Sequence, residues 1–261
     1  MGEYNAVYRR AGYYDIIFRR DVSAEAAFLA ALFEAVNGRK LRSLVDIACG
    51  PGYHARAFAR MGGEAFGVDL LPAMVDFARD QARAEGVSCQ WLAADMRDFA
   101  LPKPVDLALN SYDSIDCLLE IDDILAHFRA VARNLAPGGL YVFEHTHPRD
   151  CSMWRYGAYS YRGARDGVEV ELEWAPDIAR LDLVRQVIAC EVTMRVRENG
   201  ETHEFRDRAK ERFTMPQEYA TLAKLSGALA LDRFLGDFRL DQPFDDSPGA
   251  RRMIGVMRKA G

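Results

Sequence analysis

The sequence predicts an α/β domain built on a mostly parallel sheet, and three observations carry that prediction. Between Ser43 and His145, short apolar runs alternate with helical patterns, the order that covers both faces of a parallel sheet with helices. The first run leads into two glycines and a proline, "VDIACGPGYHARAFARMG" from Val45 to Gly62, a tight turn from strand to helix. Past Pro148 apolar and polar residues alternate at period two, which adds antiparallel strands to the parallel core.

The elements follow in order. The opening "MGEYNAVYRRAGYYDIIFRRDV" mixes aromatics with arginines and reads as a lid or an entry helix. Ala24 to Val36 has helical spacing, and Asn37-Gly38 stops it. Ser43 to Ala48 is a short strand and Gly52 to Met61 a helix; Glu64 to Asp69 is the second strand. Pro72 fits the first turn of a helix that runs to Glu85 and ends at Gly86. Ser88 to Ala94 and Val105 to Asn110 are strands, Ile121 to Leu135 is a helix closed by "APGG", and Leu140 to His145 is a fifth strand. "YSYRGARDGVEVELEWAP" and "LVRQVIACEVTMRVRENGETHEFRDRAKERFTM" then alternate as antiparallel strands, with Asn199-Gly200 as a hairpin turn. Pro216 opens a helix to Leu229, and "LALDRFLGDF" and "RRMIGVMRK" supply two closing strands. There is no internal repeat and no low-complexity linker, so the antiparallel block reads as an elaboration of one domain.

Composition narrows the class. At 261 residues and 49% hydrophobic, the chain supplies a full core. A net charge of -5 argues against a nucleic-acid partner. The five cysteines, Cys49, Cys89, Cys117, Cys151 and Cys190, show no zinc-ligand spacing, and no secretory segment precedes them. Reduced thiols and a cytoplasmic location are expected, with no membrane span.

The glycine turn admits two ligands. Gly50 and Gly52 permit positive φ and close approach of a ligand, and the following helix aims its N-terminal N–H groups there. Ala55 completes a G-x-G-x-x-A spacing that a dinucleotide also uses; the same turn can be merely a tight connection. Asp46 separates the ligands. It would repel an anionic pyrophosphate but attract the ammonium and sulfonium of S-adenosylmethionine. Asp69, at the end of the second strand, suits both ribose hydroxyls of either ligand. Asp95 can take an adenine amino group while Met96 packs on the ring, or Asp95 can be a plain turn residue. Asn110 ends the fourth strand near the point where α/β sheets bind ligands.

Taken in order, "LVDIACGPGYHARAFARMG", "AFGVDLLPAMVDFAR", "WLAADMRDF" and "VDLALNSYDSIDCLLEIDDILAHFRAVARNLAPGGLYVFE" resemble a class I S-adenosylmethionine-dependent methyltransferase. "VYRRAGYYDIIF" resembles the N-terminal lid of its small-molecule members. The resemblance covers Tyr8 to Glu144. It implies a Rossmann-like fold with a mostly parallel seven-stranded sheet, helices on both faces, a helical N-terminal lid and an antiparallel insertion. The expected division of this single methyltransferase domain is lid and first helix at 1–37, cofactor-binding core at 41–147, insertion at 150–215, and closing helix and strands at 216–261. The implied cofactor is S-adenosyl-L-methionine, held by Tyr14, Asp46, Ala48, Gly50, Gly52, Asp69, Leu70, Asp95, Met96 and Asn110. Phe18 stands where many members have tyrosine.

Methyl transfer to an N or O atom of a small molecule is the implied reaction. Positioning does most of the work, and a general base is needed only for a protonated acceptor. Tyr14, His145 and His147 are the candidate catalytic residues. Strand geometry puts the two histidines on one face if the strand runs that far; both have structural readings too, as Tyr14 has lid packing. No third metal ligand has a telling spacing, so no metal is expected. "NSYDSID" departs from the N-P-P-Y type of motif, which lowers the odds of DNA adenine or glutamine methylation. Tyr112 and Asp113 are expected near the methyl, with Asp113 also readable as a helix N-cap. Trp154, Arg155, Tyr156, Tyr159, Tyr161, Arg162 and Arg165 suit an aromatic or carboxylate-bearing acceptor and would form the wall opposite the lid. The rival readings are an NAD-dependent oxidoreductase, a non-catalytic S-adenosylmethionine-binding regulator, and the same fold catalysing another reaction. The oligomeric state is left open.

Overall fold

The protein is described here by a computed structural model, which covers residues 6–150, 158–177 and 182–260. The helices are α1 (Ala11–Phe18), α2 (Ser23–Asn37), α3 (Tyr53–Arg60), α4 (Pro72–Ala84), α5 (Ile121–Asn134) and α6 (Pro216–Ser226). The main sheet takes β1 (Ser43–Ile47), β2 (Glu64–Asp69), β3 (Cys89–Ala93), β4 (Val105–Asn110), β5 (Leu135–Thr146), β10 (Leu229–Leu235) and β11 (Arg252–Lys259). The second sheet takes β6 (Tyr159–Arg165), β7 (Val168–Pro176), β8 (Val187–Glu198) and β9 (Glu201–Arg212).

The main sheet has seven strands in the order β10-β11-β5-β4-β1-β2-β3. β1 to β5 pair in parallel, while β11 pairs antiparallel with both β5 and β10. This is the seven-stranded, mostly parallel sheet that the sequence implies. Its strands are apolar on both sides because both faces are covered. On one face Leu44, Leu107 and Leu109 pack with Phe28, Leu29 and Phe33 of α2 and Phe58 of α3. On the other, Val45, Ala108 and Phe143 pack with Phe128 of α5 and Tyr219 of α6. Strand order reverses between β1 and β4, so their carboxyl ends open a crevice there. Among the described residues, no helix is long and apolar enough to cross a membrane.

Most boundaries agree with the sequence, and two differ for local reasons. β5 begins at Leu135, five residues before the expected start, because the "APGG" segment joins the ladder through a register shift opposite Val105/Leu107. α6 stops at Ser226, since Gly227 takes a left-handed φ of 65° and Leu229 already belongs to β10. Asn199 and Gly200 both have positive φ and join β8 to β9 as expected. Asp166-Gly167 makes the same kind of turn between β6 and β7, a signal the sequence carried and the reading passed over.

The second sheet and the N-terminal helix form one body. The inner face of β7 and β8 contributes Val170, Leu172, Val192, Met194 and Val196, and Val7, Tyr13, Ile16 and Ile17 pack against them. At Gly163 a Cβ would lie 2.5 Å from the Ile16 carbonyl oxygen, so glycine lets α1 rest directly on β6. Hence α1 and the insertion do not face each other across the site as opposite walls. They make a single cap, because their apolar faces complete one another. Asp15 fastens this cap to the core. Its fully buried carboxylate accepts from Arg19 Nε (2.9 Å), Arg165 Nη1 (2.7 Å) and Tyr53 Oη (2.9 Å). Asp15→Ala leaves these donors facing one another. Both arginines keep partial access to water, so the expected loss sits at the low end for a broken buried pair, about 3 kcal/mol. Urea denaturation measures it, and limited proteolysis should show faster cleavage at Arg19. Unchanged values for both would contradict the role of Asp15.

Candidate active site

The loop after β1 is built from left-handed residues. Ala48, Gly50 and Gly52 have φ of 54°, 50° and 76°. A Cβ on Gly50 would meet nothing within 4 Å, so the loop borders open space there. A Cβ on Gly52 would lie 2.3 Å from the Trp91 ring, so glycine is required for packing as well as for φ. The next turn starts α3.

Asp69 secures this loop. Its Oδ2 accepts the Gly50 N–H (2.8 Å), and its Oδ1 accepts the Leu71 N–H (2.9 Å). Burial raises its pKa, with the two N–H donors opposing. Each oxygen keeps a further lone pair. Leu70 stands beside it at the rim, 61% exposed. Asp46 lies deeper, only 1% exposed, with Oδ2 accepting the Ala55 N–H of α3 at 3.4 Å. Burial pushes its pKa up to about 6, against the pull of His54. Asn110 donates from Nδ2 to the Ile47 carbonyl (3.2 Å), and its Oδ1 is buried without a partner among the described residues.

These groups are rich in acceptors and poor in donors. A ligand bearing an ammonium and two vicinal hydroxyls fits Asp46, Asp69 and the orphaned Asn110 oxygen, which is costly to leave unpaired. Asp95 stands differently from expectation. Both its oxygens are held by the Arg97 guanidinium at 2.6–3.1 Å, so an adenine amino group would share a carboxylate already engaged. Met96 is half-buried against the core, and its carbonyl lies 2.9 Å from His127 Nδ1.

The cap meets the core through aromatic rings. Tyr14 packs on Tyr8 (centroids 5.7 Å) and Phe18 (4.4 Å); Phe18 packs on Tyr112 (5.9 Å) and Tyr161 (4.9 Å). Burial first, and then neighbouring phenols and carboxylates, raise the pKa of Tyr8, Tyr14 and Tyr161, the last to about 12. Burial also raises Tyr112, against the pull of Arg20 and Arg252.

Behind Tyr112 lies a charged network. Tyr112 and Asp113 take left-handed φ of 61° and 58°. Asp113 precedes a short 3-10 helix (Ser114–Cys117) without capping it. Its Oδ2 instead accepts from Thr146 Oγ1 (3.1 Å) and Arg252 Nη2 (2.9 Å), and its Oδ1 accepts the Thr146 N–H. Burial would raise the Asp113 pKa, but Arg252 and His145 hold it below the ordinary carboxylate range. Ligand atoms of Asp113, Asp116 and His145 converge within 4.8 Å, a grouping of three that sequence spacing did not reveal, since Asp113 and Asp116 come from the loop after β4 and His145 from β5.

The two histidines part company. His145 is buried, with Nδ1 2.6 Å from the Thr146 carbonyl oxygen and Nε2 2.9 Å from Asp116 Oδ1. His147 lies past the end of β5, which stops at Thr146. Its Nε2 bonds the Asp245 carbonyl (3.0 Å), its Nδ1 accepts the Arg149 N–H (3.3 Å), and its ring packs on Phe244. Both nitrogens serve the backbone, so His147 supports a loop and offers no base, contrary to the expectation. Among the described residues, the arginines expected to form a wall do not line one face together. Arg162 is on the outer face of β6, 2.5 Å from Glu171, and Arg165 binds Asp15. Tyr159 is partly exposed, and Trp154, Arg155 and Tyr156 lie outside the described residues. Sequence reading did not find Arg252, Glu144 or the His54–Glu25 pair (2.5 Å), whose partners come from distant segments.

Comparison with known proteins bears on the family and the fold. Residues 44–139 match the family described as "Methyltransferase domain". A dTDP-3-amino-3,4,6-trideoxy-alpha-D-glucopyranose N,N-dimethyltransferase of Streptomyces venezuelae is 29% identical over 51% of this chain and 56% of its own length. A ubiquinone biosynthesis O-methyltransferase of Xanthomonas campestris is 32% identical over 37% of this chain and 39% of its own. These matches thus span about half or less of each curated relative. Among solved structures, a S-adenosylmethionine-dependent methyltransferase from Clostridium acetobutylicum superposes with a TM-score of 0.78 at 19% identity, covering 96% of this chain and 98% of that one. DesVI from Streptomyces venezuelae gives 0.76 at 23%, with the same coverage. Residues 44–139 thus match a methyltransferase domain, and the chain as a whole has the fold of S-adenosylmethionine-dependent methyltransferases.

Proposed function

We propose that the protein transfers a methyl group from S-adenosylmethionine to an amine nitrogen of a small molecule, with an amino sugar as the favoured class. The carrying observation is the state of the acceptor side. None of the phenols and imidazoles described there is set to remove a proton from a hydroxyl. The phenols of Tyr8, Tyr14, Tyr112 and Tyr161 all titrate above the ordinary range. His145 has protein oxygens at both nitrogens, and His147 is bound to the backbone. An alcohol needs a base to become a nucleophile, whereas a neutral amine brings its own lone pair. The curated relatives include three amino-sugar N,N-dimethyltransferases, which supports the same choice. Of the described arginines expected to hold a carboxylate-bearing acceptor, Arg162 points away and Arg165 is committed to Asp15, so neither supports that class.

Asp46, Asp69 and Asn110 would hold the cofactor, with Gly50 and Gly52 allowing its approach. Bound S-adenosylmethionine supplies a methyl group already activated on a sulfonium. The chain's own contribution is orientation and exclusion of water. The Tyr8–Tyr14–Phe18–Tyr161 roof covers the crevice, and Tyr112 limits where an acceptor nitrogen can stand. The rate then comes mainly from positioning, and the proton lost after transfer passes to solvent.

S-adenosylhomocysteine release over a panel of amines, phenols and carboxylates tests this. Turnover is expected with amino sugars, rising with pH through the acceptor amine's own pKa. Turnover of phenols alone would refute the amine reading, and bound cofactor with no turnover would favour a regulator.

Cofactor binding should depend on pH through Asp46. Its folded pKa is raised, so the free protein protonates it below about 6. The ammonium pairs only with the ionised form. Affinity should be greatest between about pH 6 and the ordinary α-amino pKa of about 8, and fall by about tenfold per unit below that window. In Asp46→Asn, affinity should be weaker and this acid limb absent. Calorimetry across the range reads both, and a flat wild-type profile would contradict the pairing.

A further inference from the structure

The Tyr112–Asp113 pair is held in a conformation that neither residue adopts by preference. Two consecutive side-chain-bearing residues with φ near +60° are strained, and the strain persists only where the surroundings fix it. Here the fixing groups are visible. The Tyr112 N–H donates to Glu144 Oε2 (2.9 Å), and the Asp113 N–H to the Glu144 carbonyl (3.3 Å). Arg252 connects these points. Its Nε lies 2.8 Å from Glu144 Oε1, its Nη2 2.9 Å from Asp113 Oδ2, and its Nη1 2.9 Å from Thr146 Oγ1. Three nitrogens of one planar fork thus meet three groups on β5 and the loop after β4.

Arg252 is the first residue of β11, paired with Thr146 across the antiparallel ladder. Its register sets the fork beside the carboxyl ends of β4 and β5. The product of the clamp is the direction of Tyr112. That ring is 43% exposed, stands edge-on to Phe18 of the cap, and has the Arg20 guanidinium 5.6 Å from its centroid. Arg20 lies between α1 and α2, where the cap joins the core.

We propose that Arg252 is a positioning residue for the acceptor: through Glu144 and Asp113 it holds the left-handed Tyr112–Asp113 turn, and thereby the Tyr112 ring that orients the acceptor amine against the cap. It touches neither cofactor nor acceptor. The role belongs to the guanidinium's shape, because an ammonium is a point charge that cannot reach three acceptors in one plane. This rests on the amine reading above.

The test uses Arg252→Ala and Arg252→Lys in the full chain, with 3-fluorotyrosine placed at position 112. Both variants should bind S-adenosylhomocysteine within about twofold of wild type, since Asp46 and Asp69 are not touched. On the best amine of the panel, kcat should fall about tenfold to a hundredfold, as expected for a misplaced reacting group, while KM changes less. Millimolar guanidinium should restore part of the Arg252→Ala rate, and Arg252→Lys should remain impaired. The fluorine resonance, sharp in wild type, should shift or broaden in Arg252→Ala and recover with guanidinium. Wild-type kcat in a folded Arg252→Ala, or parallel loss of cofactor affinity and kcat, would overturn the proposal. If wild type turns over no amine, the functional reading fails. The fluorine signal then decides the positioning claim alone: identical spectra overturn it, and a guanidinium-reversible change upholds it.

Discussion

The Asp69 carboxylate is the constraint on which the site depends. It is 9% exposed and accepts one N–H from Gly50 and another from Leu71. Those two residues follow different strands, so one side chain fixes the ends of β1 and β2 relative to each other. The left-handed loop through Ala48, Gly50 and Gly52 is then held by these two hydrogen bonds and by packing. Trp91 from β3 fills the space that side chains on Gly52 and Gly67 would need. A larger residue at either place would push the ring out and release the loop. The start of α3, and with it the Asp46–Ala55 contact, follows from that packing.

The cap obeys a different rule. Its helix has no apolar core of its own, and the four-stranded sheet offers an inner face that the helix covers in part. Each satisfies the other, so residues more than 150 positions apart share one apolar cluster. The outer face is a cross-strand ladder of charges, Arg162–Glu171, Arg195–Glu204 and Arg197–Glu169, which suits water. The seam between cap and core is aromatic and carries raised phenol pKa values. An acceptor held there meets flat apolar surfaces and weakly acidic hydroxyls, which favours a neutral nucleophile over one that must be deprotonated.

Much of this was legible in the sequence. The five parallel strands and their helices follow from alternating periodicity, and the Asn199-Gly200 turn from the positive φ that both residues tolerate. Asp46, Gly50, Gly52, Asp69 and Asn110 do gather at the carboxyl ends of β1, β2 and β4. What sequence could not give are pairings across long separations. Arg252 reads as one more charge opening a strand, and only the β5–β11 register brings it to Asp113, 139 residues away. Asp15 lies in the lid helix, and its partners Arg165 and Tyr53 come from β6 and α3, 150 and 38 residues away. The shared face expected of His145 and His147 assumed a strand one residue longer than the one that forms. The arginines around Tyr161 looked like one wall because period two was not applied to them: Arg162 and Arg165 differ in parity and face opposite sides of the sheet.

The central claim is that the β1–β2 end forms a cradle for the ribose and methionyl parts of S-adenosylmethionine. Calorimetric titration of S-adenosylmethionine and NADH into wild type and Asp69→Ala tests it most directly. Micromolar affinity for S-adenosylmethionine corresponds to about -8 kcal/mol. Removal of two charge-assisted hydrogen bonds, each worth roughly 1.5–3 kcal/mol, should weaken it at least tenfold in a folded variant, with no NADH bound by either protein. NADH binding without S-adenosylmethionine binding, or an Asp69→Ala variant of unchanged affinity, would contradict the account.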